Sequence, residues 1–164
     1  MIKISTNVDT VIKQIETYRK LLHNRLERLL ERLAMIGATE ARVRFSQAMY
    51  AGKNDVVISV ETVSKSCCQI VAEGQAVLFI EFGTGISNPE HPQSAEFGYK
   101  HGEYGQGKGM NPKGWVYVGE QGNAGQTLRE GVYRTKGNPP ARAMYDSAKE
   151  MREEILRIAR EVFQ

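Results

Sequence analysis

Hydrophobic and polar positions divide the chain into stretches with a clear period and one long stretch without. Between residues 8 and 49, Leu22, Leu26, Leu29, Leu33 and Ile36 recur at spacings of four and three, placing them on one helical stripe. Ala34, Ala38, Ala41, Phe45 and Ala48 form a second, offset stripe of mostly small residues, suited to close approach by another helix or a sheet. Gly37 lies between the stripes and is expected to mark a bend, since glycine costs about 1 kcal/mol against alanine in a helix interior. Thr6 or Asn7 can cap the helix, and Asp9 falls in the first turn, where the helix dipole favours negative charge. A helix of roughly 40 residues is long for a compact domain. The pattern therefore predicts a break near residues 21–24, with the first piece projecting from the body.

Ala51, Gly52, Lys53, Asn54 and Asp55 form a turn cluster that stops the helix. Beyond it Val56, Ile58 and Val60 alternate with Val57, Ser59 and Glu61, the period of a strand. Residues 67–72 read as its partner, with Cys68, Ile70 and Ala72 on one face and residues 62–66 as the turn, giving an antiparallel hairpin over 55–72. Residues 76–85 are a short apolar element ending in Gly83-Thr84-Gly85. Seven residues are too few for periodicity to separate strand from helix. The paired glycines predict a sharp exit needing positive φ, with Phe79 and Phe82 fixing the element in the core.

Residues 86–114 show no period and carry Gly98, Gly102, Gly105, Gly107, Gly109 and Gly114 with Pro89, Pro92 and Pro112. Loops of this length within a domain are usually functional or disordered. Phe97, Tyr99 and Tyr104 give this one aromatic anchors that a pure linker lacks. Trp115-Val116-Tyr117-Val118 reads as a strand, residues 119–126 as a polar turn, and residues 128–135 as the partner strand, with Leu128, Val132 and Tyr133 packing. Gly137-Asn138-Pro139-Pro140 opens a last helix over 139–163. Its Met144, Ala148, Met151, Ile155, Ile158 and Val162 make the cleanest amphipathic pattern in the chain, expected to cover one face of the sheet. The fold class is thus α+β: a small, mostly antiparallel sheet of two hairpins, packed by a long N-terminal and a C-terminal helix, with a long Gly-rich loop, all in one domain of 164 residues.

Composition adds little. No apolar run approaches the roughly 20 residues that span a bilayer, and the first residues lack the apolar core of a secretion signal. Cys67 and Cys68 are adjacent, with no third cysteine, and read as thiols in a reducing cytoplasm. A formal net charge of +3 does not demand a nucleic-acid partner. The basic excess is local: Arg25, Arg28 and Arg32 stand three and four residues apart and share one face of the first helix. That face can meet DNA phosphates or an acidic partner, or be a solvated face relieved by Glu27 and Glu31.

Candidate chemistry is thin. Gly102 to Gly109 matches the glycine and lysine spacing of a P-loop, but Gly109 stands where the magnesium-binding hydroxyl belongs, and Asn111-Pro112 follow where a helix should open. His23, His91 and His101, with Glu90 or Glu103, lack the spacing that fixes a metal. Ser87 and Ser94 near His91, and the two cysteines, lack the geometry of an activated nucleophile.

Three motifs in order carry a resemblance: Phe79, Glu81, Phe82, Gly83, Thr84 and Gly85; Trp115-Val116-Tyr117; and Thr135-Lys136-Gly137-Asn138-Pro139-Pro140-Ala141-Arg142 leading to Met144. The chain from about Val8 onward resembles the small tail-completion and head–tail joining proteins of long-tailed bacteriophages. It departs from them in the long insertion after Gly85 and in Ala143, where an aromatic residue often follows the proline turn. The resemblance implies that residues 76–82 form a short helix. It further implies a structural virion protein of the neck, assembled in the host bacterial cytoplasm: a ring, six subunits around the DNA channel, joining the portal side of the capsid to the tail tube. No catalysis, cofactor, metal or membrane enters that role. Its partners are further copies of itself, the neighbouring connector and tail-tube proteins, and genomic DNA passing through without sequence specificity. The rival expectation is a small nucleic-acid-binding accessory protein using Arg25, Arg28 and Arg32.

Overall fold

The computed structural model describes residues 7–85, 91–93, 96 and 111–164, so most of the expected 86–114 loop lies outside the described residues. The chain is α+β, and the first helix, α1 (Val8–Gln47), runs without a break. Asn7 caps it by accepting a bond from the Thr10 N–H at 3.2 Å. The expected interruption at residues 21–24 is absent because nothing there removes a backbone donor or demands positive φ; His23 and Asn24 are weak helix formers, not breakers. The helix also continues through Gly37. A Cβ at this position would lie 2.6 Å from Ile70 Cδ1 and 2.9 Å from Met151 Cγ, so glycine is there to admit two neighbours.

Strands β1 (Val57–Ser64) and β2 (Cys67–Glu73) pair antiparallel. The turn between them is tighter than residues 62–66, because both strands run on past a bulge between Thr62 and Ser64. Ile58 is buried, and Val60, Ile70 and Ala72 pack beside it on the C-terminal half of α1. Helix α2 (Val77–Phe82) follows, then β3 (Thr84–Gly85).

The second expected hairpin is a three-stranded sheet. Strand β4 (Trp115–Val118) pairs with β6 (Val132–Thr135), and β5 (Gln126–Arg129) pairs with the other edge of β6. Residues 128–135 are therefore not one strand: Gly131, at φ 70°, sits at a tight turn between β5 and β6. Tyr133 is buried and Leu128 is exposed, so only part of the expected packing set is used. Strand β7 (Gly137–Asn138) pairs with β3, making a third small sheet where the sequence suggested one sheet in all.

Helix α3 (Ala143–Phe163) begins four residues later than expected, because Gly137 and Asn138 are spent on β7 and Arg142 turns the chain through φ 53°. It runs antiparallel to α1 and packs chiefly on that helix, not across a sheet; Arg44 meets Asp146 at one end and Arg25 meets Phe163 at the other. Ala34, Gly37, Ala38, Ala41 and Phe45 of α1 are buried, with Ala143, Ser147 and Ile158 of α3. The small-residue stripe is thus the core seam, and Leu22 and Leu26 stay partly open. Small side chains win because helix and hairpin both approach α1 closely there.

Candidate functional site

Two of the three stretches that carry the resemblance meet in one buried junction. Gly83 turns the chain at φ 76° after α2, and β3 then lies against β7, with Thr84 opposite Asn138 and Gly85 opposite Gly137. Asn138, 1% exposed, ties the joint: its Oδ1 accepts from Thr84 Oγ1 at 2.5 Å, while its Nδ2 donates to Phe79 O at 3.0 Å and Pro139 O at 3.2 Å. A Cβ on Gly85 would strike Lys136 O and sit 3.0 Å from Gly137 Cα. A Cβ on Gly137 would strike Thr84 O. Both strands need glycine for contact as well as for φ.

Glu81 is the charged centre of this junction. It is 5% exposed, yet its carboxylate accepts from the Met144 N–H at 2.9 Å and the Tyr145 N–H at 3.0 Å. These are free donors of the first turn of α3, so a side chain from α2 supplies the cap that Arg142 does not. The α2 backbone joins in: Ile80 O and Glu81 O accept from the Ala141 and Arg142 N–H groups. His91 Nε2 stands 3.3 Å from Glu81 Oε1, and its ring lies 4.5 Å from that of Phe82 and 5.5 Å from that of Tyr145. His91, which the sequence leaves without metal-ligand spacing, is buried at this cap. Ile80 and Phe82 are the apolar anchors of α2; Phe79, expected to share that role, is half-buried. Pro140 and Met144 are half-buried beside the cap. Arg142 places its guanidinium over the Tyr145 ring and 3.0 Å from Asp146.

Trp115 starts β4 opposite Thr135, next to this junction, but makes none of the bonds that tie Glu81 and Asn138. Its neighbour Tyr117 donates its hydroxyl to Ala51 O. The loop after β4 grips the segment that follows α1: Asn123 donates to Ala48 O and accepts from the Tyr50 N–H, both at 2.8 Å. Burial raises the Tyr50 hydroxyl pKa, helped by the nearby Asp55 carboxylate. Asp55 is itself held below the usual aspartate range, first by the Ala76 N–H and then by the Gln75 N–H, both bonded at 2.9 Å at the entry to α2.

The basic face of α1 is partly consumed within the chain. Arg25 donates to Phe163 O at 2.6 Å, at the C-terminal end of α3. Arg32 pairs with Glu161 at 2.5 Å, a bond that lowers the Glu161 pKa. Arg28 is exposed. Phe97, Tyr99 and Tyr104 lie outside the described residues. Among the described residues no three His, Cys, Asp or Glu side chains converge where a metal ion could sit. None of their helices is long and apolar enough to cross a membrane.

The members of the junction other than His91 stand out in the sequence, but their partnership does not. The clue lay in Glu81 itself, a lone carboxylate inside an apolar run, which is rarely buried unless it is paired. No family model matches the chain, and no curated protein or solved structure matches it.

Proposed function

We propose that the protein is a structural component of the neck of a long-tailed bacteriophage, a ring that surrounds the DNA channel and joins the portal side of the capsid to the tail tube. The observation that carries this reading is the junction itself. Two of the three motifs on which the resemblance rests, around residues 79–85 and 135–142, are far apart in sequence but form one joint through Glu81, Asn138 and the β3–β7 pair. They therefore act as one unit, setting where α3 starts and how the chain turns at Gly83 into β3. A fixed joint of this kind suits a structural subunit. The ties of Arg25 and Arg32 to α3 leave less of the basic face for the rival nucleic-acid reading.

Deleting the gene from a phage that carries it tests the proposal. Filled heads and complete tails that fail to join, rescued by the intact gene, are the expected result. Normal, infectious particles would overturn it.

A further inference from the structure

We propose that the N-terminal part of α1 is a self-association arm: residues 8–22 pair antiparallel with the same residues of a second copy of this chain. The proposal does not rest on the neck reading. Helix α3 ends beside Arg25, so α1 extends about 17 residues, or ~25 Å, past the last turn of α3. Every residue of that extension is exposed, and among the described residues nothing packs on it.

The arm is not built for water. Val8, Val11, Ile15, Tyr18 and Leu22 alternate at spacings of three and four, the heptad spacing of a helix pair, and Ile12 and Leu21 widen the seam on either side. Ile15 and Tyr18 are each 61% exposed. A run of large apolar side chains along one helix face marks an interaction site.

Three features select a second copy in antiparallel order. The seam of the arm continues the Leu26, Leu29 and Leu33 line beside which α3 runs antiparallel to α1, so an antiparallel partner follows the track of α3 beyond its end. The negative C-terminal pole of α3 then faces the positive N-terminal pole of the incoming arm. A parallel pairing would bring the two α3 helices into the same space. In antiparallel order Ile15 of each copy packs on Tyr18 of the other, and Val11 packs on Leu22. The seam residues are 36–61% exposed, leaving at most on the order of 600 Å² per arm for a partner to cover, the scale of a small, two-fold contact. The contact is two-fold and thus distinct from the head-to-tail contacts that close a ring.

The test uses the full chain. Sedimentation equilibrium should show a pairwise self-association, within or beside any ring, whose affinity falls about 100-fold or more in Ile15→Glu, where a charge is buried without a partner. Val63→Glu, on the exposed β1–β2 hairpin, should leave the dimer intact. In a Cys67→Ser, Cys68→Ser background, mixed and oxidised Ile15→Cys and Tyr18→Cys proteins should give the cross-linked heterodimer. A wild type that is monomeric at all concentrations, a dimer that survives Ile15→Glu, or cross-links only between identical variants would overturn the proposal. So would loss of the whole fold in Ile15→Glu, since the arm would then belong to the core. Rings that form in wild type and show no Ile15-dependent two-fold contact between copies overturn the arm pairing and leave the neck reading standing. An arm-dependent dimer that never forms rings does the reverse.

Discussion

Replacing Glu81 with alanine removes the cap of α3 without touching α3 itself. The carboxylate is 5% exposed and holds the Met144 and Tyr145 N–H groups at 2.9 and 3.0 Å. A buried donor left without an acceptor costs roughly 1–3 kcal/mol. Bonds to a charged acceptor are stronger than neutral ones, which puts each loss at about 1.5–2 kcal/mol. The sum of about 3–4 kcal/mol exceeds the ordinary cost of about 1 kcal/mol for losing a solvent-facing cap. Against a domain stability of about 5–15 kcal/mol, that is a large fraction. Glu81→Gln keeps one acceptor oxygen but turns an NH2 group toward a donor, so about half the loss is expected. Urea unfolding followed by far-ultraviolet circular dichroism measures both variants. The expected signature is a fall in midpoint at unchanged slope, ordered wild type, Gln, Ala. An Ala variant within about 0.5 kcal/mol of wild type would refute the reasoning, because that is the range of surface substitutions.

The other predictions follow from the same joint and from the basic face. Gly85→Ala and Gly137→Ala each put a Cβ into backbone at positive φ and should cost about 3 kcal/mol or more, whereas Gly131→Ala, at φ 70° with open space around it, should cost only the conformational strain of about 1–2 kcal/mol; equal losses at all three in urea titrations would contradict the close strand contact. Asp55 has its pKa lowered by folding, so the unfolded chain takes up the proton first, and the stabilisation is complete above the ordinary aspartate value and drains away as pH falls through the folded one. The melting-temperature gap between wild type and Asp55→Asn should therefore be largest near neutral pH and close from about pH 4 downward; a gap that widens in acid would reverse the sign. Arg32→Ala should weaken the α1–α3 tie slightly at low salt and not at high salt, and should leave any DNA affinity unchanged. DNA binding that Arg25→Ala, Arg28→Ala and Arg32→Ala abolish together, in a folded protein, would favour the nucleic-acid reading.

Helices and hairpins were legible because their signals are local. The stripes of α1 and α3, the alternation at Ile58 and Val60, and the turn chemistry after Gln47 survive without tertiary context. What the chain could not announce were contacts between distant segments. Gly37 looks like a flaw in a helix until Met151 and Ile70 close on it. Gly137 and Asn138 look like a helix start until β3 claims them. The leucine stripe of α1 outranks the alanine stripe by size, yet closeness of approach puts the alanines in the core. Glu81 is the sharpest case: its neighbours Ile80 and Phe82 mark burial, but the donors that make burial affordable lie some sixty residues away. Arg25 and Arg32 read as an open basic face for the same reason, since α3 is invisible from α1.

The central claim is tested most directly by electron microscopy of the purified full-length protein. The account predicts closed rings of uniform subunit number around an open channel wide enough for duplex DNA. Fields that hold only isolated monomers or dimers, across protein concentration and salt, would contradict it.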